Sequence, residues 1–262
     1  MSAILLDGQM VHYEVLGRGR PVIFLHGWIG SWRYWIPTMQ AASIAYRAYA
    51  LDFWGFGDSA KVPERYALDG QVNLLRGFMD QMGMGRVALI GHGLGATVAV
   101  MFALRYPEVV DRVLAVAYPL DETRLHPRLR SQSPEELVDW LLERNSTTEP
   151  VRVEAAKTDP RAIQDSLEGL TTLEAREASQ KITCACLLVY GEKDPVVPAP
   201  SDEVFLGLPF QTHGIVFDQS GHFPILDESS KFNRLVMDFL SLGVGESPRM
   251  LQLKEEWKRR VR

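Results

Sequence analysis

Apolar and polar positions along the chain follow two rhythms, and they alternate. "MVHYEVLG" (10–17) switches sides at every residue, as a half-exposed strand does, and Gly17–Gly19 turn it into "PVIFLHG" (21–27), a short apolar run typical of a buried strand. "RYWIPTMQAAS" (33–43) predicts a helix, and "YRAYALDF" (46–53) a strand running into the loop "WGFGDSA". In "ALDGQVNLLRGFMDQMG" (67–83), Val72, Leu75, Phe78 and Met79 fall at helical spacing before Gly83. "RVALIG" is the next strand, "LGATVAVMFALRYP" the next helix and "DRVLAVAY" another strand; "ACLLVYG", "HGIVFDQ" and the helix "FPILDESSKFNRLVMDFLS" come later. Near-continuous apolar strands alternating with helices predict a mostly parallel sheet covered on both faces.

The rhythm breaks between 119 and 181, where no strand pattern occurs. "SPEELVDWLLERN" opens with Ser133 as N-cap, Pro134 in the first turn and Glu136 completing a capping box. "DPRAIQDSLEGL" repeats the device with Asp159 and Pro160, and sets Ile163, Leu167 and Leu170 on one stripe. The expected division is a core of 1–118 and 182–246, a helical cap of 119–181 enclosing a small-molecule pocket, and a basic C-terminal helix of 247–262. In that last segment Met250, Leu253, Trp257 and Val261 share a face; packing on the chain's own body is the expectation, with a membrane or protein contact as the alternative.

Composition narrows this picture little. The chain has 262 residues, 46% hydrophobic and 23% charged, enough for a large core. A formal charge of −5 gives no footprint for a nucleic-acid partner. Ala3–Leu6 is too short an apolar run for a leader or a span, and Cys184 and Cys186 read as reduced core thiols, which together point to the cytoplasm. Neither an HExxH nor a Cys/His cluster occurs, so no metal and no cofactor are expected.

The candidate chemistry gathers at the predicted carboxyl ends of strands: "FLHGW" (24–28), "ALDFWGFGDS" (50–59), "GHGLG" (91–95), "YGEKDPVVP" (190–198) and "SGHF" (220–223). This ordered set resembles the α/β-hydrolase superfamily, in its capped, esterase-like branch, over residues 9–242. The resemblance implies a three-layer α/β fold with an inserted helical cap and carboxylic-ester hydrolysis by nucleophile, acid and base in that order. It implies Asp194 as acid, His222 as base, and the Trp28 and Leu94 amides as oxyanion hole. It places Gly93 where the nucleophile should stand.

Glycine tolerates the backbone of such a turn, where another residue bears a strain of about 1–3 kcal/mol, so the fold should survive while the covalent route closes. Hydrolysis is expected to be weak or absent. Natural divergence and a deliberate Ser→Gly replacement both fit. The alternatives are lyase-like proton abstraction by His222, a ligand-binding protein with no chemistry, or an interaction protein. The expected ligand is a small ester-like or apolar molecule, and a serine at position 93 is expected to create His222-dependent cleavage of short p-nitrophenyl esters.

Other residues weigh less. His92 reads as a packed core histidine, His26 as support beside the oxyanion loop, and His12, His126 and His213 as surface or packing residues. Ser59 and Asp58 read as turn caps, and Asp121 as a second-choice acid. "GHGLGA" also satisfies a dinucleotide fingerprint with Asp111 twenty positions on, but Asp111 precedes its strand where the ribose-binding acid should end it.

Overall fold

The computed structural model describes residues 2–251 and 253, apart from 173 and 244. Its strands are β1 (Ser2–Leu6), β2 (Gln9–Gly17), β3 (Arg20–Leu25), β4 (Tyr46–Leu51), β5 (Val87–His92), β6 (Val110–Val116), β7 (Ala185–Gly191) and β8 (Thr212–Phe217). They form one sheet in the order β1-β2-β4-β3-β5-β6-β7-β8. The β1–β2 and β2–β4 pairs are antiparallel; all the others are parallel. β5 is buried at every position, as a strand covered on both faces must be.

Helices α1 (Ile36–Ala42), α2 (Leu68–Gln81) and α3 (Leu94–Arg105) occupy the first half. α4 (Arg128–Ser131), α5 (Pro134–Leu141), α6 (Glu149–Ala155), α7 (Pro160–Glu168) and α8 (Ala175–Lys181) fill the connection from β6 to β7. α9 (Asp202–Leu206), α10 (Pro224–Asp227) and α11 (Ser229–Leu240) complete the set. α1 packs on α11, and α2 packs on α3. The capping box of Ser133 and Glu136 and the Asp159 cap start α5 and α7 as their sequences predict. Among the described residues no helix is long and apolar enough to cross a membrane.

Four elements depart from the sequence reading. Ala3–Leu6 belongs to a strand, hairpinned onto β2 through Asp7 and Gly8, both at positive φ. The "DG" dipeptide is the signal that predicts such a turn. Trp32–Trp35 forms a 3-10 turn before α1, because Pro37 lacks an N–H and clashes with an earlier carbonyl, so the helix restarts at Ile36. The last predicted helix breaks at Glu228 (φ −127°, ψ 50°) into α10 and α11. There the Asp227 and Glu228 carboxylates turn back to receive Gly221 N–H and Ser220 Oγ. The C-terminal helix begins as expected, with Ser247 capping Arg249 N–H, but Leu251 is already extended. The rest of that prediction, 252 and 254–262, lies outside the described residues.

The sheet and α3 touch without side chains between them. A Cβ on Gly95 would stand 2.2 Å from the Leu25 carbonyl oxygen, and one on Gly91 2.2 Å from Gly95 O. Backbone cannot yield as a side chain can, so Gly95→Ala is expected to lose about 3 kcal/mol in urea unfolding. Gly85→Ala, which meets nothing within 4 Å, should stay within about 0.5 kcal/mol of the parent. Equal stability of the two variants would contradict the close crossing.

Candidate functional site

Five loops leave the carboxyl ends of β3, β4, β5, β7 and β8 and converge. The turn from β5 into α3 is the sharpest. Gly93 has φ 50° and ψ −107°, a combination that L-residues rarely adopt, and its N–H donates to Val116 O at 2.9 Å. Its neighbours Trp28 and Leu94 are fully buried, and among the described residues neither backbone N–H has a protein acceptor. Two buried donors without acceptors are what an oxyanion site requires.

The β7 and β8 loops bring Asp194 and His222 together. Asp194 Oδ2 lies 2.8 Å from His222 Nδ1. Its Oδ1 accepts from Val196 and Val197 N–H at 2.7 and 3.1 Å, which fixes the carboxylate. His222 is only 2% exposed. Asp121 instead spends its carboxylate on Thr123 in an exposed turn.

Above Gly93 the space is taken. A Cβ built there would meet the Trp28 ring at 2.9 Å (Cε3) and 3.0 Å (Cζ3). That ring is not free to swing, because Trp28 Nε1 donates to Ser166 Oγ of α7 at 3.1 Å. Ser166 in turn donates to Ile163 O. The helical insertion is tied to the β4 loop as well, through Tyr66 Oη to Asp159 and Asp159 N–H to Gly55 O.

Two buried histidines carry contacts beyond their sequence reading. His92 is buried as expected but is not idle packing: Nδ1 lies 3.1 Å from Tyr34 Oη and Nε2 2.9 Å from the His222 carbonyl. His12 is neither surface nor simple core; its Nδ1 meets Asp52 Oδ2 at 2.9 Å with both side chains buried. Burial alone would pull the His12 imidazole down, but the Asp52 hydrogen bond and charge outweigh it, and the net movement is up. Asp52 organises the β4 loop, also accepting Trp32 and Asp58 N–H. Ser59 donates to Asp52 O and accepts from His12 N–H, so it braces the loop as a turn residue should. His26 braces the loop after β3, receiving Phe53 N–H and reaching Gly27 O. His126 stacks on Trp140 and His213 is half-buried on β8.

Sequence reasoning passed over Tyr34, Ser166 and Asp52, since each acts through partners distant in the chain. His12, Asp52 and Asp58 are the group among the described residues with ligand atoms within 4.8 Å of one another. Hydrogen bonds already occupy Asp52, and the Lys157 ammonium sits on Asp58 Oδ1 at 2.9 Å, where a cation would bind. Asp111, the acid of the dinucleotide fingerprint, opens β6 and pairs with Arg112. Both cysteines are free; burial pushes the Cys184 thiol up to about 11 and that of Cys186 well above its ordinary range.

A model described as the alpha/beta hydrolase family matches residues 22–235. The chain is 24% identical over 264 residues to a 2-hydroxy-6-oxo-6-(2'-aminophenyl)hexa-2,4-dienoic acid hydrolase of Metapseudomonas resinovorans, covering 89% of this chain and 88% of that one. It is 25% identical over 268 residues to a 2-hydroxy-6-oxo-6-phenylhexa-2,4-dienoate hydrolase of Comamonas testosteroni, covering 90% and 92%. Among solved structures, an enol-lactonase from Burkholderia xenovorans LB400 superposes with TM-score 0.79 at 20% identity, covering 92% of this chain and 100% of that one.

The buried histidines give the protein a pH response. Burial holds His92 well below the ordinary imidazole range, with the His222 ring adding to it; burial likewise lowers His26, partly offset by Asp52. Below about pH 6.5 the unfolded chain takes up protons that these two folded side chains refuse, so stability falls with pH by about 1.4 kcal/mol per unit for each. His12 works the other way: raised in the fold, it adds stability below about pH 6.5 that is lost as pH rises through its folded value. Urea unfolding at pH 7 and pH 5.5 should show the net loss, and His92→Gln should remove one histidine's share of that slope. An unchanged slope in the variant would refute the assignment.

Proposed function

The chain belongs to the alpha/beta hydrolase family, and on that premise we propose that it is a carboxylic-ester-type hydrolase scaffold from which covalent catalysis has been removed. It takes a small, ester-like or apolar ligand at the carboxyl ends of the strands and forms no acyl-enzyme. The relatives named above are hydrolases of small organic acids and of an enol-lactone, and the ligand proposed is of that kind.

One observation carries this reading: Asp194 and His222 lie 2.8 Å apart while a Cβ added at Gly93 would meet the Trp28 indole at 2.9 Å. His222 remains able to act on water. Its Nε2 would take a proton from water as the oxygen bonds to the carbonyl carbon, and the oxyanion would meet the Trp28 and Leu94 N–H groups. Collapse would expel the alkoxide, which recovers the proton from His222. This is general-base hydrolysis, weaker than the covalent route but within the roughly 10³–10⁴-fold over water left to sites stripped of a nucleophile. Asp194 keeps the imidazole in the required tautomer and stabilises it when charged.

The indole changes the expectation for a restored serine. With p-nitrophenyl acetate, the parent should turn over slowly with no burst of nitrophenol, and His222→Ala should lower that rate by about 100-fold. Gly93→Ser alone should gain little, because its Cβ meets an anchored ring; Gly93→Ser with Trp28→Ala should gain far more than the two single changes together. An acylated peptide from the unaltered chain, or full activity in Gly93→Ser alone, would overturn the proposal.

A further inference from the structure

Gly27, the residue before the Trp28 amide, is held at both ends. Its N–H donates to Tyr34 Oη at 2.5 Å, and its carbonyl accepts from His26 Nδ1 at 2.8 Å. The His26 proton is placed by elimination: Nε2 accepts the Phe53 N–H at 3.1 Å, so Nδ1 is the donor.

The same bookkeeping assigns His92. Its Nε2 faces the His222 carbonyl at 2.9 Å, and a carbonyl only accepts, so Nε2 carries the proton. Nδ1 must then accept, and the Tyr34 hydroxyl at 3.1 Å is its donor. Tyr34 can do this because its oxygen receives Gly27 N–H while its own hydrogen is spent on His92. Burial supports both states, raising the Tyr34 phenol well above its ordinary range and lowering His92.

The result is a chain of donors pointing one way: Gly27 N–H to Tyr34, Tyr34 O–H to His92, His92 Nε2–H to His222 C=O. Hydrogen bonds aligned like this polarise one another in a low dielectric. Tyr34, His92 and His222 are each at most 3% exposed, so water does not compete. The fit is also steric. A Cβ on Gly27 would lie 2.9 Å from His92 Nδ1, the His92 and His222 rings are 4.6 Å apart, and Phe223 packs on both histidines.

We propose that Tyr34 and His92 are positioning residues whose one-way hydrogen-bond chain ties the His222 backbone to the Trp28 loop, and so sets the base against the oxyanion amides. No side chain of this relay touches the ligand. The inference rests on reading His222 as the base, but its test does not depend on turnover.

Long-range proton–nitrogen spectra of the full-length labelled chain should show His92 as the Nε2–H tautomer and His26 as the Nδ1–H tautomer. The second readout is solvent exchange of the His222 Nδ1 proton shared with Asp194. Loss of one buried hydrogen bond of ordinary strength should speed it about tenfold in His92→Leu and in Tyr34→Phe. His92→Gln, which keeps a donor near Nε2, should restore a rate near the parent's. Amides of β5 should keep their protection throughout, which separates a local release of His222 from general loosening. Should His92→Leu fail to fold, the parental tautomer and Tyr34→Phe still decide. A His92 proton on Nδ1, or parental exchange in Tyr34→Phe, would overturn the relay. A correct tautomer in a protein with no esterase activity would instead count against the hydrolytic reading alone.

Discussion

A strand, a turn and a helix must cross a neighbouring strand with no side chain between them, and residues 91–95 meet that demand with glycine at every second position. Gly91 and Gly95 allow α3 to lie on the carbonyls of β3, and Gly93 adopts a left-handed turn between them. This backbone contact brings the Leu94 amide beside the Trp28 loop. It also orients His92 toward β8's loop, so His222, its partner Asp194 and the Trp28 and Leu94 amides inherit their places from it. A side chain at position 93 would add strain to this positive-φ turn, which glycine avoids.

Burial then decides the charge states. Asp194 is buried yet has three donors, two of them backbone amides that cannot move away. Burial lowers His26 and His92, which have no carboxylate within hydrogen-bonding reach, whereas the Asp52 carboxylate raises His12. The histidines of this loop cluster thus diverge, His26 and His92 moving down and His12 up, according to whether a carboxylate lies in hydrogen-bonding reach. A neutral histidine can serve as a fixed donor and acceptor, and that makes a directional chain through His92 workable.

The helical insertion does more than cover. Ser166 holds the Trp28 indole, and the indole stands over Gly93. An insertion usually sets which ligand enters; here it also holds the Trp28 ring over Gly93. Glycine at 93 and tryptophan at 28 therefore belong together: a larger residue at either the turn or the ring's path requires the other to move.

Much was legible before any coordinates. Apolar periodicity located seven of the strands and the major helices, because strands buried on both faces leave long apolar runs. The motif order placed Gly93, Asp194, His222, Trp28 and Leu94 at strand ends; in the structure Asp194 meets His222, and a Cβ at Gly93 would meet Trp28. Edges and joints were less legible: β1 is too short to show a period, and Pro37 and Glu228 break helices whose apolar stripe runs on past them. Local sequence determines backbone preference, cap chemistry and which face of an element is apolar, all set within a few residues. Only the tertiary structure decided that Tyr34, His92 and Ser166 reach across 7, 58 and 138 positions to their partners, and that the Trp28 indole stands over Gly93. Side-chain partners that far apart are chosen by packing, and packing leaves no period in the sequence.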